Sequence, residues 1–183
     1  MDRVGQPCQG PDRKALRLYL YNRRPLTALR GELWGRPGKV EIMSRLQDII
    51  DIFSESDYQT TLAMLLDYSE NLPPLPGEFQ EARDAGFNRV TECETPVFVF
   101  VDVKDGNVEI YADVARESPT VRGFVSLLVD AFNGAPAKDV IEAPETLIHM
   151  LKLDSKLGTR RMYGLSAVYS RIKNEVRKAN GEA

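Results

Sequence analysis

The chain has 183 residues, of which 43% are hydrophobic and 28% are charged, and its formal net charge is −3. This size and composition are typical of one globular domain with an additional segment. It contains no run of about 18 apolar residues, so the sequence predicts no membrane-spanning helix.

The charge is distributed unevenly along the chain. Residues 1–42 carry nine basic and four acidic side chains, whereas residues 43–183 carry 15 basic and 23 acidic ones. An acidic body is repelled by phosphate backbones, so we expect no nucleic-acid partner. The first residues also lack the apolar core of a secretory signal, which favours a cytoplasmic location.

Residues 1–42 are predicted to lie outside the folded domain. They are rich in Gly, Pro and Arg and show no sustained hydrophobic period. We interpret them as a disordered or spurious leader, with Met43 as the true initiator and residues 43–183 as the domain. An organelle transit peptide is the alternative, although the segment contains no Ser.

Two amphipathic helices are predicted at the start of the domain. The first spans residues 44–55 and begins at Ser44, a residue type that favours the N-cap position. The second is capped by Ser56 or Asp57, and its predicted buried side consists of Leu62, Leu65, Leu66 and Ser69. It ends at a Pro-rich stretch, and a short helical turn follows at residues 79–84.

The hydrophobic period then changes to that of β-strands. Residues 96–104 and 108–114 alternate large β-forming side chains, and Asp105-Gly106 between them is a strong hairpin signal because Gly tolerates positive φ. Residues 88–93 are predicted to form a third, shorter strand. Together these segments predict a small three-stranded antiparallel sheet.

Helices are predicted again in the last third of the chain. One begins at Pro119 behind a Ser118 cap and ends at Gly134. A short helix follows at residues 144–153, and Thr159 is predicted to cap the last one. The order of helices, strands and helices is typical of an α+β domain.

Cys93 is the one cysteine of the predicted domain, since Cys8 lies in the leader. On composition alone, a lone cysteine is more often a small buried core residue. At a turn between strands, however, we expect Cys93 to be presented to a partner, and its acidic neighbours Glu92 and Glu94 should raise its pKa. The sole histidine, His149, has no nearby cysteine to complete a zinc site, so we expect no metal.

Arg160 and Arg161 open the last predicted helix, where cations are unfavourable. Two cations at this position suggest an acidic partner or a functional role. The sequence shows no phosphate-binding glycine loop, no Ser/His/Asp set and no paired catalytic carboxylates, so it does not predict a stand-alone enzyme.

Three segments follow the two leading helices and their Pro-rich exit in a specific order and spacing: residues 90–98 (VTECETPVF), 117–124 (ESPTVRGF) and 157–165 (LGTRRMYGL). With these segments, the chain from about residue 43 to 178 resembles the SufE family, the sulfur-acceptor partners of SufS-type cysteine desulfurases. The resemblance implies a SufE/IscU-like α+β fold, with the small sheet packed against helices.

The resemblance also implies the roles of individual residues. Cys93 matches the thiol that accepts persulfide sulfur, and Arg161 matches the family's arginine near the desulfurase interface. Arg122 and Gly123 match a basic-residue–Gly step that we expect to contribute to partner binding. The implied partners are a SufS-type desulfurase and an iron–sulfur scaffold such as SufB, to which the sulfur is passed for iron–sulfur cluster assembly. A sulfur-accepting thiol would need no cofactor of its own, and we expect none.

Two other functions remain open from the residues alone. An iron–sulfur scaffold needs about four ligands, mostly thiolates, and the predicted domain offers one Cys and one His. A non-catalytic binding module is the second alternative, and in that case Cys93 would be an inert core residue.

Overall fold

A computed structural model describes residues 39–181 of the chain. Most of the predicted leader, including Cys8, lies outside the described residues. The first described element is helix α1, Lys39–Glu55. Ser44 lies inside this helix, so the prediction that it caps the N-terminus is wrong. The predicted apolar face is confirmed, because the side chains of Leu46, Ile49, Ile50 and Phe53 are all buried.

Helix α2, Tyr58–Glu70, begins at the predicted cap, where Oδ1 of Asp57 accepts a hydrogen bond from the backbone N–H of Thr60 at 2.7 Å. Its buried side includes Met64, Leu65 and Tyr68. Leu66 is 50% exposed, so the predicted face is wrong at this position. Successive helical residues point about 100° apart, and the side that contains Leu65 is the one that packs against the rest of the domain.

The predicted turn after the Pro-rich stretch is a 3₁₀ turn, Gly77–Phe79, followed by helix α3, Gln80–Asp84. The ring of Phe79 stacks on Phe100 with a centroid distance of 4.9 Å and lies 4.9 Å from the ring of Tyr111. This segment therefore covers part of the sheet surface that faces away from the main helices.

The predicted hairpin is confirmed as strands β1, Val97–Lys104, and β2, Asn107–Val114, which pair in antiparallel register with Val97 opposite Val114. Asp105 and Gly106 both have positive φ, 53° and 78°, as a tight two-residue hairpin turn requires. Every second residue of β2 faces the core: Val108, Ile110, Ala112 and Val114.

The predicted third strand at residues 88–93 is wrong, and the sheet of the described residues has two strands. Asn88 adopts a left-handed φ of 59°, and Cys93 N–H turns back to the carbonyl of Val90 at 3.3 Å. The segment touches β1 only at an isolated bridge between Arg89 and Phe98. Because the chain turns at both ends of this segment, the extended part between the turns is too short to form a third strand.

The remaining helices are α4, Pro119–Phe132; α5, Ala137–Glu142; α6, Leu147–Met150; and α7, Thr159–Ala179. Helix α5 was not predicted. The N-cap of α7 is Gly158 rather than Thr159.

These helices pack on one face of the hairpin. Helix α4 packs between α2 and β2, and α7 packs along β1, so the hairpin and the helices share one hydrophobic core. The structure is thus α+β, as predicted. None of the helices within residues 39–181 is both long and apolar enough to cross a bilayer.

Candidate functional site

An open cleft of about 860 Å³ lies where three separate segments of the chain meet. The first segment is the loop at residues 91–96, which we call the thiol loop. The second is the beginning of α4 with the residues just before it, and the third is the beginning of α7. The lining side chains include Cys93, Thr95, Ser118, Arg160, Arg161 and Tyr163. The cleft therefore brings together the three segments that carried the family resemblance.

Cys93 lies at the base of this cleft and is only 4% exposed. The prediction that a turn here presents the thiol rather than packing it is therefore wrong for the resting structure. The turn from Val90 to Cys93 directs the chain inwards, and Val90 itself is 1% exposed. A Cβ placed on Gly164 of α7 would lie 3.2 Å from Sγ of Cys93, so the thiol rests against the bare backbone of that glycine.

The pKa of Cys93 is raised above its ordinary value, as the sequence predicted, but the main cause differs. Burial makes the largest contribution because a thiolate is disfavoured away from water. The negative charge of Glu94 adds to the increase, whereas no such contribution comes from Glu92. Hydrogen bonds from the backbone and side chain of Thr95 act in the opposite direction, since they favour the thiolate. The free thiol is therefore held protonated at neutral pH, with donors already in place for the charged form.

The thiol loop is attached to both neighbouring helices. On one side, the hydroxyls of Thr95 and Ser118 are hydrogen-bonded to each other at 3.1 Å, just before α4. On the other, Nε of Arg160 in α7 lies 2.8 Å from Oε1 of Glu94. The side chains of Arg160 and Glu94 are 84% and 67% exposed. Because such exposed pairs contribute little to stability, this pair adds little to the attachment of the thiol loop to α7.

Arg161 lies at the rim of the cleft, and its side chain is exposed. Among the side chains of residues 45–181, no ion pair holds its guanidinium. The ring of Tyr163, which is 67% exposed, lies at the same rim. Arginine and tyrosine are residue types that are enriched at energetically important interface positions.

The structure does not bring Arg122 and Gly123 to this cleft. The Arg122 guanidinium donates hydrogen bonds to the carbonyls of Ser69, Val114 and Leu72 at 2.9, 2.6 and 3.4 Å. Burial is the main cause of the lowered pKa of this side chain. Arg122 thus ties the end of α2 to the end of β2.

Gly123 has a different role in the same helix. A Cβ at this position would collide with the backbone carbonyl of Leu65, so the missing side chain lets α4 approach α2 closely. Both residues position α4, whose N-terminal residues line the cleft.

Sequence reasoning missed several residues of the site: Thr95, Gly164 and the pair of Glu94 with Arg160. A glycine inside a predicted helix is a signal of close approach, and Gly164 carried that signal. The remaining candidate, His149, lies at the surface with Nδ1 3.2 Å from Asp154, away from the cleft. Among the described residues, no group of three or more His, Cys, Asp or Glu side chains is placed to hold a metal ion.

Comparisons with known proteins agree on one family. The family model SufE, described as the Fe–S metabolism associated domain, matches residues 47–176. SufE-like proteins from two Mycobacterium tuberculosis strains are each 34% identical over 136 residues, which is 74% of this chain and 93% of theirs. A SufE-like protein of Synechocystis is 24% identical over 139 residues, covering 76% of this chain and 80% of its own.

A solved structure is also similar. It is the solution structure of a hypothetical protein from Thermus thermophilus, with a TM-score of 0.65 and 31% sequence identity. The match covers 75% of this chain and 96% of that one. The α+β arrangement described above is therefore also found in a protein whose structure was determined by experiment.

Proposed function

The chain belongs to the SufE family, whose domain is associated with Fe–S metabolism, and on that premise we propose that Cys93 accepts persulfide sulfur from a cysteine desulfurase. The observation that supports this most directly is the position of Cys93. It is the one cysteine of the described residues, and it lies at the base of a cleft whose rim is exposed and polar.

The proposed step is a transfer between two sulfur atoms. The Cys93 thiolate attacks the terminal sulfur of a persulfide on the desulfurase. A new S–S bond forms on Cys93, the S–S bond on the desulfurase breaks, and the desulfurase cysteine leaves as a thiolate. The proton of Cys93 is released to solvent before the attack. Because one S–S bond replaces another, the step needs no external oxidant or cofactor.

The attack requires a thiol that is accessible and ionised, and in the resting structure Cys93 is neither. The thiol is 4% exposed, and burial raises its pKa, so both access and thiolate formation are limited. Docking of the desulfurase would therefore have to draw the thiol loop out of the cleft. Once Sγ reaches a more polar environment, the largest cause of the raised pKa is removed. We propose that this requirement keeps the thiol unreactive until the partner is bound.

Arg161 is the residue that we propose for the docking contact, because it is exposed, lies at the rim and has no ion pair within the described part of the chain. Arg122 and Gly123 are proposed to act indirectly, since they fix α4 and with it one wall of the cleft. The sulfur carried on Cys93 would then pass to an iron–sulfur scaffold such as SufB.

The deep burial of Cys93 favours one competing function, a non-catalytic binding module with an inert core thiol. The two functions differ in a covalent outcome. The protein is incubated with a pyridoxal-phosphate-dependent cysteine desulfurase and cysteine, and intact-mass and peptide mass spectrometry then locate any added sulfur. We expect one added sulfur atom on Cys93, stimulation of sulfide release, and neither effect with Cys93→Ser.

The matched control for this experiment is Cys8→Ser, which removes the other cysteine of the chain and should leave both readouts unchanged. Wild-type protein that gains no sulfur on Cys93, or a Cys93→Ser variant that stimulates as well as wild type, would reject the carrier function in favour of the binding module.

The docking role of Arg161 has its own test. Arg161→Ala should weaken stimulation of the desulfurase about fivefold, because interface arginines commonly contribute more than about 1 kcal/mol. Lys178→Ala, an exposed change at the other end of α7, is the control. Thermal unfolding should be unchanged in both variants. Equal stimulation by Arg161→Ala and the control would remove Arg161 from the docking surface.

A further inference from the structure

Gly164 lies inside α7, where a glycine is unfavourable compared with alanine. It does not have a positive φ, so its backbone conformation does not require glycine. It is also buried, so the glycine does not serve to expose the helix backbone to solvent or to a partner. The reason for glycine at this position must therefore be sought in what lies next to its Cα.

The neighbour is the sulfur of Cys93. A Cβ on residue 164 would lie 3.2 Å from Sγ of Cys93, while the Cα and Cβ atoms of Cys93 would be at ordinary distances of 3.7 and 3.8 Å. Carbon atoms in contact are normally about 3.5–4.0 Å apart, and sulfur is larger than carbon. An added methyl group at 164 would thus press on the sulfur atom itself and would require it to move by a few tenths of an ångström.

The thiol loop is the part that can yield to this pressure. Apart from the packing of Cys93 itself, its side-chain contacts with the neighbouring helices are the exposed pair of Glu94 and Arg160 and a single hydroxyl contact between Thr95 and Ser118. Helix α7, by contrast, is packed along β1 and buries Leu165 and Val168 next to Gly164. Displacement of the loop towards the cleft is therefore easier than displacement of the helix.

We propose that Gly164 is a positioning residue for Cys93: the missing side chain at residue 164 sets how deeply the thiol withdraws from the cleft. The functional meaning of this depth rests on the proposed sulfur transfer, because a withdrawn thiol is sheltered until a partner draws it out. A side chain at 164 moves the resting sulfur outwards and makes it more reactive in the free protein.

The test measures the rate of alkylation of Cys93 by iodoacetamide as a function of pH, in a Cys8→Ser background so that one thiol reacts. Gly164→Ala should raise the rate at neutral pH about threefold to tenfold, the equivalent of roughly half to one pKa unit of relief from burial. The midpoint of the pH profile should move down accordingly. Gly158→Ala is the matched control, because a Cβ there meets nothing within 4 Å and φ is −60°.

The same rate and pH midpoint in Gly164→Ala and the control would overturn the proposal, and so would slower alkylation in Gly164→Ala. A merely structural role of the glycine would change thermal stability without moving the pH profile of the thiol.

A second measurement keeps the proposal testable even when Gly164→Ala folds poorly. The melting temperature is compared for Gly164→Ala with and without Cys93→Ala, since the latter removes the sulfur that the new methyl group would press upon. We expect Gly164→Ala to lower the melting temperature less when Cys93 is Ala, because the added methyl group then has no sulfur next to it. The effects of the two changes would therefore not be additive. Equal effects in both backgrounds, including failure to fold in both, would overturn the proposal.

Neither measurement includes a desulfurase, so the proposal and the proposed function can fail separately. Absence of sulfur loading in the wild type rejects the carrier function whatever the alkylation rates are. Alkylation rates that do not depend on residue 164 reject the positioning role whatever the sulfur loading is.

Discussion

Two regions of this molecule each have a glycine against which another part of the chain packs closely. The two regions differ in how easily the neighbouring atom could move if a side chain were added. Between α2 and α4, Gly123 lies against the backbone carbonyl of Leu65. Between α7 and the thiol loop, Gly164 lies against the sulfur of Cys93. The first neighbour belongs to the backbone of a packed helix, whereas the second is a side chain on a loop held partly by an exposed ion pair.

The interactions that surround the two glycines also differ in strength. The contact of α2 with α4 is reinforced by Arg122, whose guanidinium binds three backbone carbonyls. Buried hydrogen bonds of this kind are costly to leave unmade. The pair of Glu94 and Arg160 is exposed, and water can replace it at little cost. An added side chain should therefore destabilise the contact of α2 with α4 more than it destabilises the contact of the thiol loop with α7.

The largest expected effect is on the contact between α2 and α4. Gly123→Ala should lower the free energy of unfolding by about 1–3 kcal/mol, the usual cost of overpacking a core. The higher helix propensity of alanine should not compensate for this, because the neighbouring atom is backbone and cannot move alone. Urea unfolding measures the change, with Gly158→Ala as the control. A Gly123→Ala protein as stable as wild type would show that α2 and α4 can separate without loss.

A smaller effect is expected at the thiol loop. Glu94→Gln removes the ion pair with Arg160 and also the negative charge that helps to raise the pKa of Cys93. Both changes increase thiol reactivity, so alkylation of Cys93 at neutral pH should become about threefold faster, equivalent to roughly half a pKa unit. The free energy of unfolding should change by less than about 0.5 kcal/mol.

The control for this change is Glu142→Gln, which breaks a comparable exposed pair with Lys138 at 3.6 Å, away from the cleft. Salt near 1 M should speed alkylation of the wild type, because it screens the exposed pair. If Glu94→Gln and Glu142→Gln alkylate at the same rate, the ion pair does not restrain the thiol loop.

The smallest expected effect is the dependence of stability on pH. The pKa of Cys93 is raised in the folded state, mainly by burial, so folding favours the neutral thiol. Its contribution to stability is fully present below the pKa of an unfolded cysteine, about 8.5, and is lost as pH rises through the folded value. The stability of wild type relative to Cys93→Ala should therefore fall between about pH 7.5 and about pH 10.

Urea unfolding of wild type and Cys93→Ala at the two ends of this pH range provides the measurement. The comparison removes the other titrating groups, which both proteins share. A stability difference that stays constant with pH would mean that the thiol ionises as easily in the folded protein as in the unfolded one.

Local sequence features were sufficient to predict the hairpin, most of the helices and the candidate thiol. The hairpin followed from alternating β-formers around Asp105-Gly106, and α2 followed from its Asp57 cap, because these features depend on neighbours in the chain. The order and spacing of three short segments was sufficient to indicate the family that the comparisons then showed.

The environment of that thiol, by contrast, depends on how distant parts of the chain pack together. Local pattern predicted a strand at residues 88–93 and an exposed Cys93, whereas the folded chain has a turn and a sulfur that is 4% exposed. Gly164 of α7 packs against the sulfur and Arg160 of α7 pairs with Glu94, although α7 lies far along the sequence from the thiol loop. Burial and electrostatics depend on which distant residues are brought together in space, and a periodic pattern in one segment contains no information about them.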